Sequence, residues 1–234
     1  MLNRLLKGFL LAWWCLACLP AVAETALFIH SQPGHAVASG RTLMIRQADG
    51  FAFTVFRNTY WGSISVQASG DGSNPALGSS WNLYVAGANN TMPTVGMYDG
   101  AMDMLRLGSS YPVLTFWGDG YGDTGSFRVI ELDTDVDGNI TRLALDFIVA
   151  GPLPTSARLF GQLRFNSDVP IDTVIRVPNP YRFTDALGTP PGQTVTANMI
   201  DIAGLSVPVP ISITNGEYRI DNGPYTSAAG MVQS

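Results

Sequence analysis

The strongest constraint on this chain is a two-residue rhythm of apolar side chains, interrupted roughly every 8–12 residues by turn formers. Phe51, Phe53 and Val55 fall on one face of 51–57, and Leu143, Leu145, Phe147 and Val149 fall on one face of 141–150. In 157–165, Leu159, Leu163 and Phe165 point one way while Arg158, Gln162 and Arg164 point the other. Similar runs cover Leu27–Ser31, Thr42–Gln47, Tyr60–Ala68, Ser80–Ala86, Val113–Trp117 and Ser126–Asp133. Between them lie Gln32-Pro33-Gly34, Ala48-Asp49-Gly50, Gly70 to Pro75 and Gly118 to Gly125. No window carries a sustained helical stripe with caps, so the pattern predicts an all-β chain, an antiparallel β-sandwich of half-buried strands.

Near Asn166–Pro170 the pattern changes, and Pro178 and Pro180 follow. Residues 24–168 are therefore expected to form the sandwich domain, and 169–180 a linker with one short strand at Thr173–Val177. Strand signals return at Thr194–Ile202, Val209–Thr214 and Glu217–Asp221, with Asn222-Gly223 as a hairpin turn into Tyr225. About four strands in 181–234 is roughly half of the seven that an immunoglobulin-type sandwich needs. Its unpaired edges make self-association through this segment an expectation.

Composition narrows the classes further. Gly 25 and Pro 15 lack the periods of collagen or coiled coil, and a 46% hydrophobic content argues against wholesale disorder. Residues 1–23 read as a signal peptide: Arg4 and Lys7 precede an apolar run from Gly8 to Leu19, and Ala21-Val22-Ala23 fits signal-peptidase cleavage before Glu24. The run is shorter than the roughly 20 residues of a spanning helix, so no membrane span is expected after cleavage. Cys15, Cys18 and the sole lysine, Lys7, leave with it. Taking Arg4 and Lys7 from the 13 basic residues leaves 11 against 18 acids, a net charge of −7. Such a chain is a poor match to nucleic acid, whose phosphates need Lys/Arg neutralisation. Cysteine nucleophiles and lysine Schiff bases are closed to it as well.

Several stretches carry a resemblance. Gly125-Ser126-Phe127-Arg128-Val129-Ile130-Glu131, Asp137-Gly138-Asn139-Ile140-Thr141 and Leu159-Phe160-Gly161-Gln162-Leu163-Arg164-Phe165-Asn166-Ser167 resemble a β-sandwich domain of secreted bacterial proteins of uncharacterised function. That family usually has a cysteine near Asp123 and another near Gly151, both absent here. Val207–Ile220 and Tyr225–Gly230 resemble a repeated immunoglobulin-like module of bacterial surface proteins, here incomplete. The resemblance implies a secreted address, periplasmic or extracellular, in a Gram-negative-like bacterium, and assigns no active site.

Candidate chemistry is sparse. Asp133-Thr134-Asp135-Val136-Asp137-Gly138-Asn139 has the opening of a calcium loop. Its twelfth position is Ala144 rather than Glu, and the same residues suit a Gly-centred hairpin. Asp119 and Asp123, in the Gly-rich 118–125 segment, are further calcium candidates; no other cofactor is expected. Glu131, Asp133 and Asp135 alternate like the acids of a β-sandwich glycosidase, with Glu131 sharing a face with Phe127 and Val129. Asp135 falls in the turn, and no catalytic residue is assigned. His30 and His35 lack a third metal ligand. Trp61, Trp81, Trp117 and Tyr121 stand beside turns, and their rings suit sugar binding as well as core filling. The expectation is a non-enzymatic binding or structural protein with glycans or surface proteins as partners. A carbohydrate-binding module, or a glycosidase using Glu131, is the alternative.

Overall fold

The computed structural model describes residues 23–118, 121–122, 124–150, 156–184, 187–190 and 192–234, with the backbone alone at Tyr121 and Gly122. Among the described residues thirteen strands follow in chain order: β1 (Glu24–Ser31), β2 (Thr42–Arg46), β3 (Phe51–Asn58), β4 (Ser63–Gly70), β5 (Ser80–Ala86), β6 (Gly96–Ala101), β7 (Val113–Trp117), β8 (Tyr121–Gly122), β9 (Gly125–Thr134), β10 (Ile140–Ala150), β11 (Arg158–Ser167), β12 (Val209–Ile211) and β13 (Gly230–Val232). The order in one sheet is β2-β1-β11-β10-β9-β6 and in the other β3-β4-β5-β7-β8. All of these pairings are antiparallel, and the two sheets pack as a sandwich.

The period-two residues fill the space between the sheets. Leu27, Ile29, Leu143, Leu145, Phe147, Leu159 and Leu163 come from the six-stranded sheet, and Ile64, Val66, Trp81, Leu83, Leu114 and Phe116 from the five-stranded one. Phe116 and Phe147 meet across the gap with ring centroids 4.9 Å apart. Burial of this apolar surface is the main favourable term, at about 25 cal/mol per Å².

The strands at Ser80–Ala86 and Val113–Trp117 lie where the alternation places them. Tyr60–Ala68 does not begin at Tyr60: residues 59–62 form the turn and the strand starts at Ser63. β6 and β8 have no counterpart in the predicted set. In the tail, Thr173–Val177 and Thr194–Ile202 are not strands; β12 pairs with β13, and a bridge joins Tyr218 to Thr226 around the Ile220–Gly223 turn.

The 169–178 stretch lies against the six-stranded sheet. Arg164, 2% exposed, donates from Nε to the Val169 carbonyl at 2.9 Å and from Nη2 to the Pro170 carbonyl at 3.0 Å. Its Nη1 serves the Leu163 carbonyl and Asp146 Oδ1, both at 2.9 Å. The Gln162 amide brackets Asp172, donating to its carbonyl and accepting its N–H. Gln32 donates to the Pro178 carbonyl at 2.6 Å. Among the described residues no helix is long and apolar enough to cross a membrane. The expected signal peptide lies outside the described residues but for Ala23.

Candidate functional site

The two outer faces of the sandwich differ in chemistry. On the six-stranded sheet the outward residues include Arg128, Glu131, Asp133, Arg142, Asp146, Gln162 and Arg164. On the five-stranded sheet, register sets three rows of outward neighbours: Ala52–Ser69–Ser80, Thr54–Gln67–Asn82–Trp117 and Phe56–Ser65–Tyr84–Thr115. None of these residues is charged.

Alternation explains why the rings are there. Leu83, Leu114 and Phe116 point into the core, so Asn82, Tyr84, Thr115 and Trp117 point out. Phe56 is 54% exposed, Tyr84 and Trp117 are half-buried, and Thr54 and Gln67 are exposed. Trp117 pairs through its backbone with Tyr121, whose side chain lies outside the described residues. Asn82 donates from Nδ2 to Ser80 Oγ at 3.2 Å.

One end of this face is covered. Met104 N–H donates to Thr115 Oγ1 at 3.0 Å, and Thr115, Ser63, Ala86 and Val113 are fully buried. The 88–91 turn presses on Gly62, where an added Cβ would lie 1.9 Å from the Asn90 carbonyl oxygen and φ is +56°. Loop backbone therefore forms a step beside the Phe56–Tyr84 row.

The other candidate residues fall in separate places. Trp81 is not a surface ring: it is 1% exposed, stacks on Phe116 with centroids 5.9 Å apart, and donates from Nε1 to the Leu77 carbonyl at 2.7 Å. Its face of β5 is the core face, which proximity to a turn in sequence cannot reveal. Trp61 is 42% exposed in the β3–β4 turn, edge-on to Tyr60, with its N–H donated to Asn58 Oδ1.

Glu131 does not share a face with Phe127 and Val129. Ile130 is an extra residue in β9, since Val129 pairs with Leu145 while Glu131 pairs with the adjacent Ala144. The bulge turns Glu131 outward, where Arg142 Nε lies 2.9 Å from its carboxylate as an ion pair not aligned for a hydrogen bond, and Ser167 donates to it. Arg142 also lies 3.9 Å from Asp133 and 2.7 Å from Asp168. This hydrogen bond to Asp168 and the surrounding carboxylates raise the guanidinium's pKa further.

Asp133, Asp135 and Asp137 do not converge as metal ligands, and no group of three such residues occurs among the described residues. Asp135 uses both oxygens in its own turn: Oδ1 accepts from the Asp137 and Asn139 N–H groups, and Oδ2 from Asn139 Nδ2. These bonds lower the Asp135 pKa, and Gly138 N–H closes the turn on the Asp135 carbonyl. Asp119 and Asp123 lie outside the described residues. His30 and His35 are buried and separately engaged, His30 Nδ1 with Thr42 Oγ1 at 2.8 Å and His35 Nδ1 with the Val37 N–H at 3.1 Å. Burial lowers both pKa values.

No family model, curated protein or solved structure matches this chain.

Proposed function

We propose that this protein is an exported, non-catalytic binding protein that takes glycan on the outer face of its five-stranded sheet. The observation that carries the reading is the charge-free grid of Phe56, Tyr84 and Trp117 among Thr54, Gln67 and Asn82. Aromatic rings offer flat apolar surface to the C–H faces of sugars, while amides and hydroxyls serve sugar hydroxyls. A glycosidase centred on Glu131 is less well supported. A retaining pair needs two carboxyls flanking an open cleft about 5–5.5 Å apart, whereas the Arg142 guanidinium sits against both Glu131 and Asp133. The signal-like first 23 residues support export.

Glycan-array binding by the 24–234 protein is the test. Signal on at least one neutral glycan, lost in Trp117→Ala and kept in Glu131→Gln, is the expected result. Absence of any signal, or hydrolysis that disappears in Glu131→Gln, overturns the reading.

A further inference from the structure

We infer that the ligand is a neutral polysaccharide held as an extended chain that crosses the strands rather than following them; this deepens the glycan reading and rests on it. Phe56 and Tyr84 occupy one cross-strand row with Ser65 between them. Two strand spacings set their backbones about 9–10 Å apart. Trp117 is the diagonal neighbour of Tyr84, two residues beyond its partner Thr115, which adds about 7–8 Å. Three rings thus mark a path over β3, β4, β5 and β7 that is longer than one sugar ring.

The step at Thr115 fixes the direction. A chain running along β4 and β5 past Ser65 and Tyr84 next meets Ser63 and Ala86, both without solvent exposure. A chain crossing them from Phe56 to Tyr84 is turned by the covered Thr115 onto the diagonal to Trp117, with the amides of Gln67 and Asn82 on its open side.

Charge selects the ligand class. The three described rows carry none, and the chain after residue 23, with 11 basic residues against 18 acids, has a net charge of −7. Anionic polysaccharide is repelled by that field and finds no cation on the grid. An uncharged chain loses nothing to desolvation of ionic groups there.

Calorimetric titration with cellobiose, cellohexaose, xylohexaose, mannohexaose and hexagalacturonate tests this. At least one neutral hexasaccharide is expected to bind tenfold or more tightly than a disaccharide of its class, with hexagalacturonate weaker than any neutral hexamer that binds. Phe56→Ala and Gln67→Ala, both at exposed positions, are each expected to weaken the hexamer at least threefold while changing disaccharide binding less. Trp117→Ala is expected to weaken it more. Disaccharide affinity within twofold of the hexamer, or preference for hexagalacturonate, overturns the extended neutral chain while leaving glycan binding in place. No binding to any sugar on the array or in solution overturns both.

Discussion

The Ser167 hydroxyl donates to the Glu131 carboxylate although β10 lies between their strands. Both side chains arrive on the same outer face because β9 carries an extra residue at Ile130 and β11 one between Arg164 and Ser167. In β11 the extra residue includes Asn166 at φ +48°. Ser167 is 1% exposed and also accepts the Val169 N–H, so it ties the strand end to the segment that follows.

Ser167→Ala leaves a half-buried carboxylate and the Val169 N–H without their hydroxyl. Hydrogen bonds to charged groups contribute about 1.5–3 kcal/mol. Urea unfolding of Ser167→Ala should show a loss of that order with an unchanged m-value.

Arg164→Met removes the donors that hold the carbonyls of Val169 and Pro170. The buried Leu145 and Leu163 carbonyls and the partly exposed Val169 and Pro170 carbonyls lose a charged donor at once, so the expected cost is about 1.5–3 kcal/mol. Limited proteolysis should cut within 169–178 faster in the variant. Unchanged cleavage would mean that the segment is held by something other than this guanidinium.

Trp81 and Trp117 should separate stability from binding. Trp81→Ala empties a core position and is expected to cost about 3–5 kcal/mol. Gly118→Ala is also expected to destabilise, since an added Cβ would lie 2.3 Å from the Trp81 ring. Trp117→Ala should shift the thermal midpoint less than Trp81→Ala while reducing glycan affinity.

Asp135 has a native pKa below its ordinary 3.8, lowered by its hydrogen bonds with Asn139. A group with a depressed native pKa contributes stability above the unfolded value and loses it as pH falls through the native one. The midpoint difference between the native protein and Asp135→Asn is therefore expected near neutral pH and should shrink below pH 3.8. It should be the same in calcium as in chelator, because both oxygens are already spent in the turn.

Acid should also act through the two histidines. Burial holds both below the ordinary 6.5, so the folded state resists their protonation. Their contribution is complete above 6.5 and is lost as pH falls through that value towards the lowered native ones. Thermal melts between about pH 8 and pH 5 should show this decline, and the His30→Gln/His35→Gln variant should flatten it.

Much of the sandwich was legible in the sequence. The inward faces of 141–150 and 157–165 follow from alternation alone, because each strand packs one face against the facing sheet. The short strands β6 and β8 were not, since Gly96–Ala101 has Asp99 and Gly100 inside it and Tyr121–Gly122 is only two residues long. In the tail, strand-like composition at Thr194–Ile202 found no partner strand, and pairing rather than propensity decides that state. Of the four aromatic candidates, alternation from Leu114 and Phe116 could have turned Trp117 outward and Trp81, beside Leu83, inward.

By itself the sequence determined the fold class and which faces of β10 and β11 are buried, because side-chain alternation is a local property of an extended backbone. It also determined that lysine and thiol chemistry is unavailable after residue 23. Only the tertiary structure decided where the extra residues fall, and one inserted residue moves a side chain to the opposite face, as it does Glu131. Only it assembled Phe56, Tyr84 and Trp117, which are far apart in the chain, into one uncharged surface, because register between strands is set by long-range pairing.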